Sequence, residues 1–121
     1  MLITNNELFR DKDIEQVIIK GSAFDVLLET RDHIHRGYRL LSSPISASIR
    51  MIMSPVRTVV LSSSPGALDE YSLNQIEAAI EKHGLITENR GEDISNLSDY
   101  AILDHELTMS AISEVDKNFW R

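Results

Sequence analysis

The sequence predicts a single α/β domain in which a mostly parallel sheet of about four or five short strands carries helices packed on its faces. Three observations lead there. The chain has 121 residues, the size of one ordinary folding unit. Its composition is 42% hydrophobic and 26% charged, enough apolar content for a core and without the bias of a disordered chain or a coiled coil. Short β-branched runs alternate with amphipathic segments, the pattern of strands joined through helices.

The chain opens with an apolar run, Leu2 to Thr4, stopped by Asn5 and Asn6, and a second run from Val17 to Lys20 ends at Gly21. Both read as short buried strands, and Asn5 to Asp13 between them has room for a helical turn. Ser22 begins a helix, with Asp25 three positions on in a variant of the capping box and Phe24, Leu27, Leu28, Arg31 and Ile34 at helical spacing. Gly37 ends it, after His35 and Arg36 in a last turn that suits basic residues. Tyr38 to Leu41 reads as a third strand before the serine-rich loop SSPISASIRMIMSP. Arg57 to Leu61 is the clearest strand, because RTVVL is β-branched and lies between Pro55 and SSSPG. Leu73, Ile76, Ala79 and Ile80 predict a helix from about Asp69 to His83, with Ser72 and Gln75 as a capping pair one turn in and Gly84 past its end. A strand is expected at Leu85 to Thr87 and another at Tyr100 to Leu103. Asp104 then caps a last helix through Leu107, Ala111, Ile112 and Val115. One continuous helix from Ser98 is the alternative.

Three predicted strands end in small polar residues: Asn5 and Asn6, Ser42 and Ser43, and Ser62 and Ser63 with Ser64. In a parallel sheet these turns share one edge, where backbone N–H groups at the following helix N-termini suit an anion. The same residues also serve turns for their own sake.

The net charge of −7 argues against a general nucleic-acid coat or an anionic-membrane binder. It is unevenly spread. Residues 1 to 65 hold eight Lys or Arg against seven Asp or Glu, whereas residues 66 to 121 hold four against twelve. The span from Arg31 to Arg57 has Arg31, Arg36, Arg39, Arg50 and Arg57 against Asp32 alone. Arginine suits bidentate pairing with carboxylate or phosphate. The segment can bind a small anion, pair with the acidic half of a second copy in a homo-oligomer, or form an internal ion-pair surface. Arg31 lies on the apolar stripe of its helix, with His35 one turn later, so it either reaches water or anchors an anion.

Catalytic signatures are missing. His33 and His35 point about 200° apart on a helix and cannot share a metal ion, while His83 and His105 stand singly. Cysteine is absent, which excludes disulfides and thiol chemistry. No Gly-x-Ser-x-Gly turn, P-loop or dinucleotide fingerprint occurs, so neither cofactor nor metal is expected. For acid/base chemistry the candidates are Asp32, Asp104 and His35. Asn118 to Trp120 places aromatics near the end of the chain, suited to covering a core or a partner. No apolar run approaches the roughly 20 residues that span a bilayer, and MLITNNELFR has no basic leader, so a cytoplasmic protein is expected.

The opening ITNN, then GSAFDVLLETRDHIHRGYRLLSSPISASIR, SPVRTVVLSS and LDEYSLNQIEAAIEKHG resemble the GrdX proteins, small proteins whose genes accompany the glycine reductase genes of amino-acid-fermenting anaerobic bacteria. The most specific part is the run around Arg31, Asp32, His35 and Gly37, followed by Pro44. Where that family usually has a histidine before the proline, this chain has Ser43. The resemblance implies a cytoplasmic accessory to glycine, sarcosine or betaine reduction, with a glycine reductase component as candidate partner, and carries no catalytic residues with it. Two function classes follow: an accessory or regulatory protein that binds a partner or small anion through residues 31 to 57, and a small enzyme acting on a phosphorylated or carboxylated metabolite.

Overall fold

The computed structural model of the protein describes residues 1–45, 49–88 and 93–119. Its sheet consists of β1 (Leu2–Thr4), β2 (Gln16–Ile18) and β3 (Thr58–Val60), and its helices are α1 (Ala23–His35), the single turn α2 (Ile49–Ile52), α3 (Glu70–Thr87) and α4 (Leu97–Phe119). A 3-10 turn at Glu7–Phe9 follows β1. The strand order is β2-β1-β3. β1 pairs in parallel with β2, Ile3 opposite Val17, and antiparallel with β3, Ile3 opposite Val59.

The α/β class therefore holds, but the sheet is smaller than the four or five strands expected and is mixed rather than mostly parallel. The missing strands have separate causes. Tyr38 to Leu41 runs beside β3 but forms only the bridge Leu40↔Leu61. Leu85 to Thr87 is the last turn of α3: Gly84 does not end that helix, and Glu88 N donates to Gly84 O at 3.0 Å. Tyr100 to Leu103 is helical, so the continuous helix is the observed alternative, and Asp104 lies inside α4 rather than capping it. The reason is periodicity: Tyr100, Asp104 and Thr108 are buried at intervals of four, the inner stripe of one helix.

Alternation along the strands sorts residues to two faces. Ile3 and Val59 join Val26, Leu27, Ile34 and Ile76 in the core under α1 and α3. Leu2 and Val60 turn the other way and pack with Phe9, Leu41 and Ile112, beneath α4. Full burial of Phe9 alone contributes roughly 1.5–3 kcal/mol. The α1 start is the expected capping box, in which Ser22 Oγ accepts from Asp25 N at 3.1 Å and Asp25 Oδ2 from Ser22 N at 2.9 Å. Gly37 ends α1 at φ +104°; a Cβ there would meet the Gly66 carbonyl. Asp69 caps α3 by accepting from Ser72 N.

Candidate functional site: a polar cavity between the third strand and the last helix

Thr4 and Thr58 face each other in the β1–β3 register and point toward α4, where two apolar residues would have completed the core. Their hydroxyls are 2.7 Å apart, and Thr58 Oγ1 donates to Asp104 Oδ2 at 2.6 Å. Asn6 Nδ2 donates to the same oxygen at 2.9 Å and to Ala101 O at 2.9 Å. The sheet is thus tied to α4 by a buried polar cluster beside the apolar contact of Leu2 and Val60 with Ile112. Such clusters require near-complete satisfaction to be tolerated.

Beside the cluster lies a cavity of about 220 Å³ walled by Ser42, Ser43, Arg57, Thr58, Asp104 and Thr108, with Met51, Val56, Val60, Leu107 and Ala111 as its apolar part. Arg57 is 7% exposed. Its Nη1 and Nη2 donate to Pro44 O and Met51 O, each at 3.3 Å, so the guanidinium ties Pro44 and Met51 to the start of β3. Burial pushes the Asp104 carboxyl up from its ordinary value, opposed by the hydrogen bonds from Thr58 and Asn6 and by the Arg57 charge. His83 is 2% exposed, and neither of its ring nitrogens has a hydrogen-bond partner among the described residues. Its ring centroid is 5.7 Å from that of Phe24. Burial, and then the charge of Arg57, hold it below the usual imidazole value.

The residues singled out from the sequence fall into three places. Asn5, Asn6, Ser42 and Ser43 lie on the Arg57 side of the sheet. Asn5 is a clamp: its Nδ2 donates to Gly21 O and Pro55 O, and its Oδ1 accepts from Arg57 N. Asn6 caps the 3-10 turn through Leu8 N. Ser42 Oγ accepts from Val60 N at 2.9 Å, and Ser43 Oγ donates to Ile45 O. Ser62 and Ser63 are at the opposite end, because β3 runs antiparallel to β1, so the expected shared edge is not formed. They line a separate open groove of about 890 Å³ with Arg39, Leu41 and Leu68. Arg31 Nη1 lies 3.5 Å from Glu77 Oε1 on α3, and His35 is exposed at the end of α1; neither lines the cavity or the groove. Asp32 is likewise exposed. Arg50 and Asn118 to Trp120 have side chains outside the described residues.

Sequence reasoning missed Thr58 and Thr108; it named Asp104 as an acid/base candidate but set it at the cap of a helix rather than on the inner face of α4. A signal was available: Tyr100, Asp104, Thr108 and Ala111 are helically spaced, yet two of them are polar. The metal reading has no counterpart among the described residues, where no three His, Asp or Glu converge. No helix among them is long and apolar enough to cross a membrane.

Fold and cavity together define a small mixed α/β protein with a half-open pocket of mixed polar and apolar lining between the sheet and the last helix. The chain matches the family model of the GrdX-like proteins over residues 1–113 and belongs to that family. Neither a curated protein nor a solved structure matches it.

Proposed function

We propose that this GrdX-like protein is a cytoplasmic accessory or regulatory protein of glycine, sarcosine or betaine reduction, and that it works by binding a small anion through its arginine-rich segment. The observation that supports this reading best is the cavity itself. It joins the one buried arginine of that segment with a described side chain, Arg57, to the hydroxyl-bearing residues Ser42, Ser43, Thr58 and Thr108. Arg31, the cation most prominent in the sequence, already faces Glu77, which moves the proposed role to Arg57. A reductase component or a second copy of the chain is the proposed macromolecular partner.

A small enzyme acting on a phosphorylated or carboxylated metabolite is the second reading, favoured by a carboxyl, Asp104, raised by burial and bordering a cavity. One experiment separates the two. Inorganic phosphate, acetyl phosphate, nucleotides and small amino acids are screened for a rise in melting temperature, and each hit is then followed for turnover. Stabilisation without turnover is expected, since a ligand bound only by the folded state at 100 times its Kd adds about 2.7 kcal/mol. Arg57→Lys keeps a cation but not the fork geometry, and is expected to weaken the hit at least tenfold. Absence of a shift across the whole series would sink the binding reading; turnover of a hit would favour the enzyme.

A further inference from the structure

Two polar groups on α4, one turn apart, have bonding capacity that the fold leaves unused. Asp104 Oδ2 accepts from the Asn6 and Thr58 side chains, the Thr58 backbone adds a hydrogen bond to the carboxyl, and no side chain among the described residues donates to Oδ1. Thr108 is 5% exposed, yet its hydroxyl makes no hydrogen bond among the described residues. Both residues line the same cavity of about 220 Å³. Ser42 Oγ, which accepts from Val60 N, lines the same cavity and has a proton of its own to donate. The charge of Arg57 acts on the Asp104 carboxyl across the same space. The cavity thus has a carboxylate oxygen and a hydroxyl at one wall, and serine hydroxyls with a guanidinium charge at another. Its volume is below the roughly 300–1,000 Å³ of sites for drug-sized ligands, so a molecule of a few carbons is the fitting size.

We propose that the ligand is a small zwitterion, an amino acid of a few carbons whose amine donates to Asp104 Oδ1 and Thr108 while its carboxylate accepts from Ser42 and meets the charge of Arg57. This rests on the anion-binding reading and adds the amine. It also accounts for a buried carboxylate in a site otherwise suited to anions. Without an ammonium group to meet it, Asp104 would repel the ligand that Arg57 attracts.

The test uses the full chain and four probes: L-alanine, β-alanine, propionate and ethylamine, each titrated by calorimetry with melting temperature as the second readout. At least one of the two amino acids is expected to bind tenfold or more tightly than propionate and ethylamine. Asp104→Asn is expected to remove that preference from both sides, weakening the amino acid tenfold or more and strengthening propionate, since the repelling carboxylate is gone. The amide oxygen can still accept from Thr58 and Asn6, and the amide NH2, a donor, then faces the ligand. Thr108→Val, a change that leaves the sheet contacts of α4 in place, is expected to weaken the amino acid several-fold. If propionate binds as tightly as both amino acids, or if the preference survives in Asp104→Asn, the zwitterion is overturned and the anion reading stands. If none of the four probes binds while phosphate or acetyl phosphate does, the zwitterion is again overturned. If nothing in either series binds, both readings fall.

Discussion

Asp104 and His83 are ionisable groups that the fold holds away from their ordinary values in opposite senses, and each leaves a mark on stability that can be read separately. The Asp104 carboxyl is raised from 3.8, so the folded chain holds this proton to higher pH than the unfolded chain does. Its contribution to stability is full below 3.8 and is lost as pH rises through the raised value. In urea titrations from pH 3.5 to 7, the difference between the parent and Asp104→Asn is expected to shift against the parent as pH rises. A difference independent of pH would show that the carboxyl is not raised. His83 is lowered from 6.5, so the unfolded chain takes up this proton first. Its contribution is full above 6.5 and is lost as pH falls toward the folded value. His83→Leu fills a site already in contact with Phe24 and is expected to flatten stability between pH 6.5 and 5. An unchanged slope would remove His83 as its source.

At the scale of elements, two glycines, one at the end of α1 and one inside α3, make opposed predictions. Gly37 has φ +104° and no space for a Cβ beside the Gly66 carbonyl, so Gly37→Ala is expected to cost about 1–3 kcal/mol. Gly84 sits in the interior of α3, and a Cβ added there would have no other atom within 4 Å. Gly84→Ala is expected to stabilise by roughly 0.5–1 kcal/mol. Chemical denaturation of the two variants checks both signs. The same pair explains how much of the fold was legible. Ser22, Asp25 and Gly37 act locally, through caps and a positive φ, and the sequence displayed them. Gly84 carries the same letter as Gly37, but its penalty is about 1 kcal/mol, which the packing of Ile76, Ala79 and His83 exceeds. Leu85 to Thr87 therefore stayed helical. Tyr100 to Leu103 misled for a related reason, since a short apolar run has no period of its own until Asp104 and Thr108 are seen to share its inner face. The site was less legible than the fold. Ser42, Ser43 and Arg57 were within reach of turn chemistry and charge counting, whereas Thr58 and Asp104 meet only because β3 pairs antiparallel with β1, a fact that no local pattern encodes.

For the molecule as a whole, the charge division persists in three dimensions. Arg36 and Arg39 are exposed beyond the end of α1, and α4 carries Asp99, Glu106 and Glu114. On the same outer surface of α4, Ile102, Leu103 and Leu107 are 43–54% exposed, more apolar surface than its buried stripe of Tyr100, Asp104 and Thr108 would lead one to expect. If the basic span pairs with the acidic half of a second copy, self-association is expected to weaken between low and high salt, where screening shortens from about 30 Å at 0.01 M to 3 Å at 1 M. Sedimentation at both salt concentrations tests this, and a monomer throughout, or an oligomer indifferent to salt, would rule that pairing out.

The hydrogen bond from Asn6 to Asp104 joins residues 98 positions apart, and the first strand cannot gain its antiparallel neighbour until residue 58 is present. During synthesis, β1, β2 and α1 have only each other, and the cavity has no second wall. Its closure must wait until α4 leaves the ribosome. A chain cut short after α3 retains the strands and helices that build the core beneath α1 and α3 but lacks the cavity wall that α4 supplies, so the cavity is among the last features of the fold to form.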